Sequence, residues 1–161
     1  MKIFKIILFL AFSILVASCS SDDNDDNNLQ PVTQPFFVEI NGEAFEETRL
    51  LAQPNIAQNT MLITAIDAQG KDIVLGFTGD LKSGTEFKTA LQSNGEDIFV
   101  PVFDTDTGGF FATSGSLILI SHDETSKTMT GRFSFSGPDP NDPTKTLNFA
   151  KGEFIVDYAV L

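Results

Sequence analysis

The sequence is poor in the residues that most often carry chemistry or crosslinks. It has one cysteine, one histidine, one tyrosine and no tryptophan among 161 residues. A single cysteine, Cys19, excludes a disulfide within the chain, so burial of apolar side chains must hold the domain together. One histidine and no second thiol leave too few nitrogen and sulfur ligands for a typical zinc site. The 16 phenylalanines supply the material for an apolar core instead.

Basic residues are scarce as well. The chain has 10 Lys and Arg against 22 Asp and Glu, which gives a formal net charge of −12 at pH 7. Nucleic-acid binding depends on Lys and Arg that neutralise phosphates, so no nucleic-acid partner is expected. The same balance disfavours a domain surface that lies flat on anionic lipid.

Residues 1–18 have the three parts of a secretory signal peptide. Lys2 and Lys5 form a positive start, Ile6 to Val16 is apolar apart from one serine, and two small residues precede Cys19. The apolar run is far shorter than the roughly 20 residues that a membrane-spanning helix needs. We therefore expect cleavage, which leaves eight basic and 22 acidic residues and a net charge of −14.

The end of this leader, Val16-Ala17-Ser18-Cys19, resembles the lipobox of bacterial lipoproteins, in which Leu and two small residues precede Cys. Val16 stands where the lipobox has Leu. The resemblance implies a diacylglyceryl thioether on Cys19, cleavage before it, and acylation of the new amino group with a palmitate-type chain. Several acyl chains would anchor the protein to the lipid bilayer, because each buried methylene adds about 0.8 kcal/mol of membrane affinity.

Residues 19–35 are predicted to be a disordered acidic tether. The run from Ser20 to Asn28 consists of Ser, Asp and Asn, which cannot bury apolar surface. This run also resembles the acidic export signal that follows the cysteine in Bacteroidota lipoproteins. That resemblance implies an outer-membrane lipid anchor with the domain on the cell-surface face. A periplasmic face is the alternative.

Residues 36–161 are predicted to form a single all-β domain. Short runs of alternating apolar residues are separated by turn residues, and no run has the length and period of a helix. This pattern favours an antiparallel β-sandwich of about eight or nine short strands. A small closed or partly open β-barrel is the alternative. Residues 49–59 contain Pro54 and two asparagines and are expected to form a loop.

Two local features of this domain are predicted in more detail. Asn41-Gly42 lies between two strand-like runs and predicts a two-residue hairpin with Ile40 opposite Glu43. The last two strand-like runs place their apolar residues on opposite parities. A β-bulge near Lys151-Gly152 would bring both runs onto the same face of the sheet.

Several segments of the domain together resemble a family of Bacteroidota lipoproteins of unknown function. They are the hairpin from Phe36 to Phe45, Gly115 to Ser121, Lys127 to Phe135, and the final Lys151-Gly-Glu-Phe. The family hairpin reads x-V-N-G-x-x-F, and Ile40 stands here in place of the Val. The resemblance implies a lipid anchor and one small β domain, and it brings no assigned activity.

No catalytic constellation is visible in the sequence, so an enzyme is not expected. His122 lies in a polar run and is interpreted as a solvated turn residue, and strand alternation would send the adjacent Ser121 to the opposite face. No cofactor is expected either. The nearest approach to a metal site is a loose calcium loop at Asp104 and Asp106, in which Gly108 occupies the fifth ligand position.

The leading functional hypothesis is therefore a membrane-anchored, surface-exposed lipoprotein that acts as a non-enzymatic binding or structural module for an unknown protein or glycan partner. The alternative is a glycan-associated accessory lipoprotein, for which Phe110-Phe111 or Phe36-Phe37 would form an exposed aromatic patch. A third hypothesis is a hydrolase that uses a pair of carboxylates, because acidic residues are abundant.

Overall fold

The computed structural model describes residues 31–105 and 108–159, and its regular structure is β apart from a single 3-10 turn at Ile56–Gln58. Within these ranges, no helix has the length and apolarity that crossing a bilayer requires. The strands are β1 (Phe36–Ile40), β2 (Glu43–Ala44), β3 (Glu47–Asn55), β4 (Thr60–Asp67), β5 (Asp72–Thr78), β6 (Glu86–Thr89), β7 (Ile98–Thr105), β8 (Gly108–Phe111), β9 (Ser114–Asp123), β10 (Thr128–Pro138) and β11 (Thr146–Asp157).

These strands belong to one sheet with the order β2-β1-β11-β10-β9-β6-β7-β5-β4-β3, and β8 pairs β7 beside this path. Its pairs are antiparallel except β6 with β7, which are parallel. The sheet curls strongly into an open half-barrel. The predicted all-β class is confirmed. The predicted sandwich of eight or nine strands is not confirmed, because hydrogen bonds join the strands into a single curled sheet.

The inner face of the curled sheet forms the core, and phenylalanine dominates it. Phe135 and Phe149 stack at the centre, with ring centroids 4.1 Å apart and ring planes 12° apart. Alternate residues of β10 point into this core, as the alternating pattern of this strand predicts. The fully buried large side chains are Phe77, Phe87, Phe99, Phe149, Phe154, Met61, Ile63, Ile73, Leu75, Leu117, Leu119 and Met129.

The predicted hairpin is confirmed in its register. Ile40 lies opposite Glu43, and the Phe45 amide donates to the Val38 carbonyl at 2.9 Å. Both turn residues have positive φ, 52° at Asn41 and 90° at Gly42, which is the backbone that a type I′ turn requires.

The predicted bulge near Lys151-Gly152 is also confirmed. The β10–β11 register shifts between Phe133, which faces Gly152, and Phe135, which faces Phe149. Lys151 has a φ of 55° at this point. A Cβ on Gly152 would lie 2.5 Å from the Phe133 ring, so the close packing of β11 on β10 requires glycine here.

The prediction of a loop at residues 49–59 is wrong for most of that range. β3 pairs with β4 from Glu47 opposite Asp67 to Asn55 opposite Thr60. Pro54 is compatible with this strand because β3 is the last strand of the sheet and forms a ladder on one side only.

A proline inside a strand favours a sheet edge or a bulge, because it lacks the N–H that a ladder needs, and the setting of Pro101 differs from both. It lies inside β7, opposite Leu75 of β5. On the other side of β7, β6 pairs residues 98 and 99, and β8 pairs residues 102–105. Pro101 therefore occupies the junction between two short partner strands, where its missing N–H interrupts no ladder.

Candidate functional site

The outer face of β3, β4, β5, β7 and β8 is rich in apolar side chains although nothing in the described ranges covers it. The cross-strand registers place two rows of side chains there, in which Gln53 and Thr64 are the polar members. An antiparallel sheet with one wet face normally alternates apolar and polar residues. β7 instead reads Ile-Phe-Val-Pro-Val-Phe, which is typical of a strand that is buried on both faces. We call the set Leu51, Leu62, Val74, Val100, Val102 and Phe111 the apolar outer face.

Four side chains of the apolar outer face are exposed to solvent. Phe111 is 68% exposed, Val100 46%, Leu51 39% and Leu62 37%. Leu62 and Val100 lie on either side of Gly76, whose missing side chain leaves room for both. Contiguous apolar patches of this kind on a water-exposed domain mark interaction sites far more often than scattered single residues do.

The other half of the sheet provides an internal comparison. The outer positions of β10 are Thr130, Arg132 and Ser134, with Met129 and Phe133 pointing inward. This strand has the expected alternation of apolar inner and polar outer residues. β10 therefore has a polar outer face, whereas the outer positions of β5 and β7 include Val74, Val100 and Val102.

A shallow groove of about 180 Å³ borders the apolar outer face. Its lining includes Leu91, Val100, Pro101, Phe111 and Ala112, and no lining residue carries a charge. Leu91, at 77% exposed, is the most exposed large apolar residue of the described ranges. The groove extends the apolar surface past the β7–β8 edge.

Two carboxylates stand at one end of the apolar outer face. Asp72 of β5 lies directly opposite Asp104 of β7, beside the pair formed by Val74 and Val102. The Oδ1 atom of Asp72 is buried without a hydrogen-bond partner. Burial raises the pKa of Asp72, and the negative charge of Asp104 raises it further. Like charges that face each other across a ladder destabilise a sheet.

Replacing Asp72 with Asn is expected to stabilise the domain by about 0.2–1 kcal/mol at pH 7, because it removes the repulsion from Asp104. The raised pKa means that the folded state binds the proton of Asp72 more tightly than the unfolded state. The parent therefore loses stability as the pH rises above 3.8 through the folded pKa, and the Asn variant is spared that loss. Urea unfolding at pH 3.5–7 measures this difference.

Asp123 is the matched control for this prediction. Backbone N–H groups of Ser126 and Thr125 donate to its carboxylate and lower its pKa. Its ionised form thus stabilises the fold as the pH rises, and Asp123→Asn is expected to destabilise the domain at pH 7. A loss of stability in both variants would contradict the assignment of Asp72 as a strained group.

The only histidine and the only tyrosine of the chain meet at one end of the sheet. His122 Nδ1 lies 2.6 Å from the Leu81 carbonyl, and its Nε2 lies 2.5 Å from the Tyr158 hydroxyl. The carbonyl accepts only, so Nδ1 donates to it, and Nε2 shares the second hydrogen bond with the Tyr158 hydroxyl. The interpretation of His122 as a solvated turn residue is wrong, because it is half-buried in β9.

This pair does not form a nucleophile and base. Burial raises the pKa of Tyr158, with smaller contributions from Glu124 and Asp123, so its hydroxyl stays protonated. Ser121 bonds the Thr130 hydroxyl at 2.7 Å and points away from the histidine. The adjoining cavity of about 210 Å³ is below the size of typical small-molecule sites. The hydrogen bond between these two side chains links the end of β11 to β9.

A cavity of about 570 Å³ lies between the β1–β2 hairpin and the β4–β5 turn. Its lining mixes apolar and charged side chains, including Phe45, Glu43 and Lys71. The Asp67 carboxylate at its rim accepts from the amides of Gln69 and Lys71, so it serves the turn. These groups present no convergent set of free polar atoms.

The sequence-predicted site residues fall in different places. Cys19 and Asp106 lie outside the described residues, and Asp104 is an exposed residue of β7. Across residues 31–105 and 108–159, no group of three or more His, Cys, Asp or Glu is arranged to hold a metal ion. Of the predicted aromatic pairs, Phe110 and Phe36 are each 2% exposed and belong to the core, and only Phe111 is largely exposed.

Comparison with protein-family models, with curated proteins and with solved structures gives no match for this chain.

Proposed function

We propose that this chain is a lipid-anchored, non-enzymatic binding module of the cell envelope that docks a protein partner on the apolar outer face. The observation that carries the proposal is the exposure of Leu62, Val100 and Phe111 on one contiguous outer surface. Burial of such side chains stabilises a complex by about 25 cal/mol for each Å² removed from water. Aromatic residues such as Phe111 are also enriched in protein interfaces.

The proposal assigns the parts of the chain to separate tasks. Acylated Cys19 holds the protein to the outer membrane, the acidic residues that follow it space the domain from the bilayer, and the apolar outer face meets the partner. The cell-surface face of the membrane is the proposed location, with the periplasmic face as the alternative. The net charge of −14 keeps the domain away from anionic surfaces while the apolar outer face stays available.

The absence of enzymatic activity is part of the same proposal. His122 is occupied at both ring nitrogens by Leu81 and Tyr158, which leaves no lone pair for a substrate. Asp72 and Asp104 are paired on an outer, convex surface that offers no enclosed site. Calcium at Asp104 and Asp106 stays a prediction that calorimetry with calcium would test.

A photo-crosslinking experiment in intact cells tests the docking surface. A benzophenone analogue of phenylalanine replaces Phe111 in the full-length protein, where the aromatic ring keeps its exposed position. We expect a discrete protein adduct, and the added Val100→Thr substitution should lower its yield about five-fold, as loss of a central apolar contact does. Val100→Thr keeps the shape of the side chain and changes only its polarity.

The same analogue at Ser134 is the matched control, because Ser134 is exposed on the polar outer face of β10. Equal adduct yields at the two positions would contradict docking on the apolar outer face. So would the absence of any adduct at Phe111.

A glycan-associated accessory role is the second candidate, and the exposed ring of Phe111 favours it. An aromatic ring beside an uncharged groove offers a stacking platform for the apolar face of a neutral sugar. The crosslinking experiment separates the two candidates, because an adduct whose added mass is carbohydrate would support the glycan role against the protein partner.

A further inference from the structure

One carboxylate oxygen at the end of the apolar outer face has no hydrogen-bond donor. Asp72 and Asp104 face each other on neighbouring strands, and the Oδ1 atom of Asp72 is buried with no hydrogen-bond donor. Buried polar atoms in folded proteins are almost always satisfied, so an unpartnered carboxylate oxygen beside an exposed apolar surface calls for an explanation. The ion pairs of Lys82, Lys88, Lys145 and Lys151 involve other carboxylates.

A positive charge placed beside the exposed Asp104 would offset the repulsion between the two carboxylates. It would also lower the cost of keeping the half-buried Asp72 ionised. Arg49 lies in the same cross-strand row but two strands away on β3, with Ile66 between it and Asp72. Arg49 is therefore not adjacent to Asp72 in this row.

We infer that the partner docked on the apolar outer face presents a basic side chain, Lys or Arg, to Asp72 and Asp104, next to apolar side chains that cover Val74, Val100 and Val102. This inference rests on the proposed function. The partner segment thus combines apolar residues with a cation at one end, which matches the order of apolar rows and carboxylates along β5 and β7.

Other occupants fit this surface less well. A second copy of the chain would bring another net charge of −14 to the interface and would meet electrostatic repulsion. Residues 19–30 of the chain itself contain no Lys or Arg, so they cannot supply the cation. A partner that is both apolar and basic complements the charge and the polarity of this face together.

Three synthetic peptides test the inference against the full mature chain in micelles of one uncharged detergent. Each labelled ten-residue peptide alternates two residue types, either valine with lysine, valine with glutamate, or serine with lysine, and fluorescence anisotropy measures its binding. We expect the valine–lysine peptide to bind at least about ten-fold more tightly than the other two. We expect Asp72→Asn to weaken that binding about ten-fold, the loss typical of a broken interfacial charge pair.

Glu124→Gln is the matched control for non-specific attraction to an acidic protein. Glu124 is exposed and belongs to the cavity at the opposite end of the sheet from Asp72. Glu124→Gln removes the same charge as Asp72→Asn. It should weaken binding of the valine–lysine peptide less than about two-fold, because distant exposed charges are screened by salt.

The outcomes separate this inference from the proposed function. Equal binding of the valine–lysine and valine–glutamate peptides would overturn the basic partner and leave docking on the apolar face intact. Equal binding of the valine–lysine and serine–lysine peptides, unchanged by Phe111→Ser, would overturn the apolar docking surface itself. Equal losses in Asp72→Asn and Glu124→Gln, or no binding of any peptide, would overturn the basic partner.

Discussion

Replacing Phe135 with alanine is expected to lower the free energy of unfolding by about 3–5 kcal/mol, the usual cost of removing a buried phenylalanine. Phe135 is 3% exposed and stacks on Phe149 at a centroid distance of 4.1 Å. Phe99, Phe110 and Phe133 each lie 6.1 Å from it, so the missing ring would leave four aromatic neighbours facing a void. Domains are stable by only about 5–15 kcal/mol, so this single change removes a large share of the total.

Thermal and urea unfolding of the two proteins measure the loss, and Phe111→Ala is the matched control. Phe111 is the same residue type but is 68% exposed, so its removal should change the stability by less than about 0.5 kcal/mol. Similar losses in the two variants would contradict the placement of the core on the inner face. The control variant also removes part of the apolar outer face, so it should fold normally and bind its partner poorly.

Local chemistry predicted the parts of the fold that depend on neighbouring residues. Asn41-Gly42 determines the β1–β2 register because few residues other than Asn and Gly adopt positive φ at both turn positions. The change of parity between the last two apolar runs required the bulge at Lys151-Gly152. Pro54 led to the wrong prediction of a loop, because a proline is harmless in a strand whose outer edge is unpaired, and edge position cannot be read from local sequence.

The choice between a sandwich and one curled sheet depended on long-range pairing that no local pattern encodes. β6 connects the two halves of the sheet by pairing β7 on one side and β9 on the other. β6 has only four residues, from Glu86 to Thr89, and so short a pattern is compatible with either a strand or a helical turn. Without that link, the same alternating runs would be compatible with two separate packed sheets.

Part of the candidate site can be recognised in the sequence. Apolar residues on both parities of β4, with Met61 and Ile63 alternating with Leu62 and Ile66, indicate a strand with two apolar faces, which favours a position inside the sheet. The structure places β4 between β3 and β5 yet leaves its outer side exposed. The pairing of Asp72 with Asp104, 32 positions apart in the chain, required the β5–β7 register. The contact between His122 and Tyr158 likewise joins residues that are 36 positions apart.

Replacing Cys19 with alanine is expected to abolish fatty-acid labelling of the protein. The lipobox resemblance assigns the anchor to this thiol, and the chain has no other cysteine. Several acyl chains at about 0.8 kcal/mol for each buried methylene hold a protein to a bilayer, whereas a mature chain with a net charge of −14 has no attraction of its own to anionic lipid. Cells grown with an alkyne-labelled fatty acid provide the measurement, and Ser20→Ala is the control that should keep its label.

The labelling readout is needed because an uncleaved leader could itself hold the Cys19→Ala variant at the membrane. Retention of the label by that variant would contradict lipidation at Cys19 whatever its location. Protease treatment of intact cells then separates the two proposed faces of the outer membrane. Digestion of the parent domain would support display on the cell surface, and full protection would place it on the periplasmic side. On the surface, the apolar outer face would meet partners from outside the cell. On the periplasmic side, it would meet only the cell's own envelope proteins.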